Sequence, residues 1–74
     1  MLEILREIYS EMTGDYDTVI TPKTKIDSEM KLSSLGKVQF VFKLEEKFDI
    51  EIPSSAIRKF KTVKDVINFL EKNT

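Results

Sequence analysis

The chain has 74 residues with a formal net charge of −1, is 41% hydrophobic and 34% charged, and contains neither cysteine nor histidine. A length of this order supplies one core and not two, and without cysteine no disulfide or thiolate metal site can staple it, so packed apolar side chains must hold the fold alone. The missing histidine and cysteine also remove zinc sites, histidine-activated nucleophiles and the usual near-neutral general base, which argues against a self-sufficient enzyme: any chemistry needs a reactive group brought by a partner or an attached cofactor.

Leu2, Leu5, Ile8, Tyr9 and Met12 recur at helical spacing, and Gly14 follows as a left-handed stop, which predicts a first helix over residues 2–13. The stretch "DYDTVITPKTKIDSEMKL" is polar, contains Pro22 and shows no sustained period, so it reads as a long loop. A loop of that length in a compact domain must pack or work, and Val19, Ile20, Ile26, Met30 and Leu32 are expected to tuck against the helices. A second helix is predicted from the serines to about Phe48, with Ser33 as N-cap. Pro53 then breaks the pattern, and a short helical turn over residues 54–59 is expected to bury Ala56, Ile57 and Phe60. The last helix opens with "TVKD", where Thr62 caps and Asp65 reaches back as a capping-box acid; Val63, Val66, Ile67 and Leu70 form its inward face. The expected fold class is therefore all-α: four helices in one domain spanning residues 1–74, with a long first loop and a short third helix.

At about 100° per residue, the apolar positions of the second helix fall into two groups. Phe40, Val41, Leu44 and Phe48 lie on one side. Leu35, Val38 and Phe42 lie nearly opposite, flanked by Gln39, Glu45 and Glu46. A helix on the outside of a small bundle needs one apolar stripe, so the second is either covered by another element or open to a partner. Gly36, one turn in, costs about 1 kcal/mol relative to alanine; it is either a tolerated blemish or a point of close approach for a partner or bound group.

Charge is unevenly spread. Residues 1–17 hold five acids against Arg6, while the remainder is net basic by three, with Arg58, Lys59, Lys61 and Lys64 clustered around the third and fourth helices. That asymmetry is too mild for a committed nucleic-acid binder, and the cluster reads more simply as a solvated face. No apolar run approaches the roughly 18 residues of a membrane span, and "MLEILREIYSEM" carries acids where a signal peptide carries bases, so a cytoplasmic protein is expected.

The segment "LSSLGKVQFVFKLEEKFDIEIP" resembles the central segment of the acyl carrier protein family, in which Asp-Ser-Leu opens a helix and a Leu-Glu-Glu-x-Phe-x-Ile-x-Ile-Pro pattern ends it. The resemblance extends back to "VITPKTKI" and forward to "TVKDVINFLEK", covering nearly the whole chain. It implies a four-helix carrier fold, and places Ser34 on the serine that carries a covalent 4′-phosphopantetheine derived from coenzyme A. It further implies a carrier rather than an enzyme. Acyl groups would ride as thioesters on the arm, presented to enzymes of fatty-acid or related polyketide and specialised-lipid synthesis.

The implied partners are a phosphopantetheinyl transferase and acyl-loading and acyl-transfer enzymes, with no nucleic acid, no membrane span and a monomeric state. Leu35, Val38, Gln39, Phe42, Glu45 and Glu46 are the expected docking residues, and no metal site is expected. Two departures from the family pattern stand out. Ser33 replaces the aspartate before the modified serine, and residues 34–48 balance Lys37, Lys43 and Lys47 against only Glu45 and Glu46 where relatives commonly carry an acidic helix. The first keeps open an unmodified, carrier-like interaction module, and a small helical nucleic-acid-binding domain is the remaining alternative. The second points to a dedicated partner, since charge complementarity sets partner choice and on-rate.

Overall fold

The computed structural model describes residues 1–73, which form α1 (Leu2–Thr13), α2 (Ser34–Phe48), α3 (Ser54–Ile57) and α4 (Val63–Asn73). The all-α fold with a long first loop and a short third helix is as expected. Among the described residues, the extended pairing is limited to an isolated antiparallel bridge between Lys25 and Thr62.

Helix α1 buries Leu5, Ile8 and Tyr9 and stops at Gly14, whose φ of 77° lets its amide donate to the Ser10 carbonyl at 2.8 Å. A side chain at that φ would be strained, which is why glycine ends the helix there. Helix α1 packs against α2, which contributes Phe40, Val41 and Leu44 to the same core. Helix α4 adds Val63, Val66 and Leu70, and Ile52 and Phe60 close the core from the flanks of α3. Phe60 meets the edge of Phe69, with ring centroids 5.7 Å apart and planes at 72°.

The long loop is ordered by where its backbone hydrogen bonds go. Ile26 donates to the Lys61 carbonyl at 2.9 Å, while Thr24 and Pro22 carbonyls accept from Val63 and Lys64 at 2.9 and 2.8 Å. The loop thus caps the start of α4. Ile20, Ile26 and Met30 enter the core, and Leu32 packs against it half-buried. Arg6 holds the other end, its guanidinium donating twice to the Ile20 carbonyl, at 3.0 and 2.8 Å.

Two expectations are corrected. Val19 is 75% exposed rather than tucked in, because the chain at Ile20 turns only that neighbour inward. Helix α3 ends at Ile57, two residues early, and Ala56 and Ile57 are half-buried; Phe60, beyond the helix, is the residue that reaches the core.

Candidate functional site

The start of α2 brings together a cap, a free hydroxyl and open backbone donors. Ser33 is extended (φ −70°, ψ 175°), and its Oγ accepts from the Gly36 amide at 3.1 Å while its carbonyl accepts from Lys37 at 2.8 Å. That cap engages the Ser33 hydroxyl and leaves Ser34 as the first helical residue, exposed. Among the described residues, the Ser34 hydroxyl has no hydrogen-bond partner, and the amides of Ser34 and Leu35 have no protein acceptor. No acid lies in this first turn.

Such an end has unpaired N–H groups and the positive pole of the helix dipole, so an anion on Ser34 would be stabilised there. A phosphodiester on Ser34 Oγ therefore fits the residues present. Ser34 is exposed, and at Gly36 a Cβ would stand 3.4 Å from Leu32 Cδ2, at ordinary contact with no positive φ to satisfy. The fold itself does not require glycine at that position.

The approach to Ser34 is held from α1. The buried Tyr9 hydroxyl donates to the Met30 carbonyl and lies at the same 3.1 Å from Asp15 Oδ2. Asp15 also accepts from the Thr18 hydroxyl and from the amides of Asp17 and Thr18, at 3.0 and 3.1 Å. The Thr18 hydroxyl first, then those amides, hold the Asp15 carboxyl down at about 2. Burial, with Asp15 beside it, pushes the Tyr9 hydroxyl up. Between Met30 and the cap, Lys31 takes a left-handed φ of 56°, turning the chain into the helix start.

Beyond Ser34, the second apolar stripe of α2 is uncovered: Leu35, Val38 and Phe42 are 68%, 47% and 62% exposed. Gln39 and Glu46 border it with Lys43 in a shallow groove against Phe42. Glu45 is placed differently. It is half-buried, and its Oε2 accepts from the Ile52 amide at 3.0 Å, tying the end of α2 to the segment before α3. Helix α2 ends at Asp49 with a left-handed φ of 53°, and the Glu45 carbonyl accepts from Asp49 and Ile50. The end at Phe48 is as expected from the sequence; the left-handed turn at Asp49 was not foreseen, and aspartate, which tolerates that conformation, was its signal.

Arg58, Lys59, Lys61 and Lys64 are exposed, Lys61 beside Asp65, whose carboxyl the Lys61 and Thr62 amides hold below its ordinary value. No grouping of acids able to hold a metal occurs among the described residues, and no described helix is long and apolar enough to cross a membrane.

This arrangement defines a small all-helical domain with an exposed serine at a helix start, and comparison with known proteins gives its family. Residues 3–70 match the family model described as a phosphopantetheine attachment site. The chain is 33% identical to an acyl carrier protein of Thermobifida fusca over 72 residues, covering 97% of this chain and 91% of that one. It is 36% identical to one of Syntrophobacter fumaroxidans over 67 residues, covering 90% and 83%. It is 43% identical to one of Helicobacter hepaticus over 54 residues, covering 73% and 71%. The chain belongs to the acyl carrier protein family, whose prosthetic group is a covalently attached 4′-phosphopantetheine.

Proposed function

We propose that residues 1–74 form one carrier domain whose attachment point is Ser34. The observation that carries this is the division of labour between the serines: Ser33 Oγ is engaged as the cap, while Ser34 Oγ is exposed and unbonded beside two open amides. Ser34 Oγ forms the new bond to phosphorus as the pyrophosphate bond of coenzyme A breaks, and the adenine-bearing fragment leaves. The hydroxyl proton passes to a base on the phosphopantetheinyl transferase, because this chain has no histidine to receive it. When attached, the arm supplies the thiol the sequence lacks, and with it thioester chemistry.

The chain's own contribution is to anchor, orient and present. Open amides and the helix dipole steady the phosphodiester. Leu35, Val38 and Phe42, with Gln39 and Glu46 at the border, offer the transferase and the acyl-loading and acyl-transfer enzymes an apolar strip next to the arm. Glu45 supports that strip by fixing the end of α2 to Ile52. The domain is then a substrate for other enzymes and not a catalyst, working as a monomer in the cytoplasm in fatty-acid or related lipid and polyketide synthesis.

The test is intact mass before and after incubation with coenzyme A, magnesium and a broad-specificity transferase, with fragmentation to place the adduct. One phosphopantetheine on Ser34 is expected. An adduct on Ser33, or none with several transferases, overturns this assignment.

A further inference from the structure

Helix α2 carries a poorly satisfied cation close to its open start. Lys37 is its fourth residue, and the Lys37 side chain is only 16% exposed. Its Nζ lies 3.9 Å from Asp27 Oδ1, at the long limit of an ion pair, on a carboxylate that is 72% exposed. A pair of that length with a solvated partner is worth little. A cation in the opening turns also opposes the positive pole of the helix, and no acid offsets it there.

Lys37 and Ser34 share one side of α2. Three residues apart on a helix, they lie about 60° apart around the axis and are neighbours along it. Lysine adds a flexible four-carbon stem with three donors on its ammonium. An anion on Ser34 Oγ would stand within that reach, adjacent to the same two open amides.

Resting on attachment at Ser34, we propose that Lys37 is the counter-ion of the phosphodiester formed there. Loading moves the ammonium from Asp27 to the phosphodiester. Modification thereby satisfies the cation, completes the helix start, and frees the loop around Asp27 from α2. The replacement of aspartate by Ser33 fits this arrangement, since residue 33 adds no second carboxylate to compete for Lys37.

The experiment uses the full chain, unmodified and loaded, with fragmentation mass spectrometry placing the adduct first. Thermal unfolding and phosphorus NMR then compare the native chain with Lys37→Gln and Asp27→Asn. Loading is expected to raise the native midpoint by a few degrees, a rise that high salt diminishes. In Lys37→Gln most of that rise disappears and the phosphodiester resonance shifts, whereas Asp27→Asn keeps the rise in full because its lysine is already free.

A Lys37→Gln chain loaded on Ser34 with an undiminished rise and an unmoved resonance overturns the counter-ion while leaving the attachment intact. So does a smaller rise in Asp27→Asn, which keeps the test decisive even where Lys37→Gln fails to fold. A native chain with no adduct on Ser34 overturns the attachment, and the counter-ion with it.

Discussion

Helices α2 and α4 both begin with a hydroxyl residue, Ser33 and Thr62, yet they are finished differently. At α4 the Thr62 amide donates to Asp65 Oδ2 at 3.1 Å, the Asp65 amide lies 3.4 Å from Thr62 Oγ1, and the Thr24 and Pro22 carbonyls take the Val63 and Lys64 amides. Every donor of that first turn is spoken for within the fold. At α2 one side-chain bond from Ser33 serves Gly36, and the amides of Ser34 and Leu35 remain open beside an exposed hydroxyl. The reciprocal box is a device for stability, and the half-finished start leaves room for a ligand's anion.

Ser34→Ala tests that contrast most severely. Loading should be abolished while helical circular dichroism and the unfolding midpoint stay nearly unchanged, because no described residue bonds to that hydroxyl; a clear loss of structure would make Ser34 structural. Val38→Glu comes next: acyl transfer by a cognate enzyme should fall several-fold with stability almost untouched, as the side chain is 47% exposed. Unfolding of that variant would place the stripe in the core.

Asp65→Ala removes an acceptor from two amides at the closed start and should cost about 1–2 kcal/mol in urea unfolding. Ser33→Ala removes one bond at the open start, and a loss of about 1 kcal/mol or less is expected. Ser33→Asp should cap equally and gain a few tenths of a kcal/mol from the dipole, and the family pattern leads us to expect faster loading. Equal losses at both starts would erase the distinction between them.

The mildest effect lies in acid. Asp15 has a carboxyl held at about 2 in the fold against an ordinary 3.8. Its contribution is therefore complete above about pH 4 and is lost as pH falls toward 2. Asp65 is lowered in the same direction. Asp15→Asn should flatten part of the stability–pH slope between pH 4 and 2 and leave the region above pH 5 parallel to the native chain.

Much of this architecture is legible in the amino-acid sequence. The 3.6-residue period of Leu5, Ile8 and Tyr9, the stop at Gly14, the Thr62–Asp65 spacing and the two faces of α2 are local patterns, and local hydrogen bonding and burial produce them directly. The Ser-Ser-Leu opening with its distant Glu-Glu-x-Phe ending marks the family for the same reason: fixed spacings along one helix survive translation into three dimensions.

Other features depend on which distant segments meet. Nothing local says that the loop's Thr24 and Pro22 complete the start of α4, that Tyr9 holds Met30, or that Glu45 serves the Ile52 amide and so belongs partly to the fold. Val19 and Ile20 look alike in sequence, and only the path of the loop sends one outward and the other into the core. Short-range sterics and periodic burial act within a few residues, so the helices, their apolar faces and the Ser33–Ser34–Leu35 opening could be read from neighbouring residues alone. The uncovered second stripe, the open donors at the start of α2 and the pairing of Lys37 with Asp27 could not be read that way, because each depends on where segments remote in the chain come to rest.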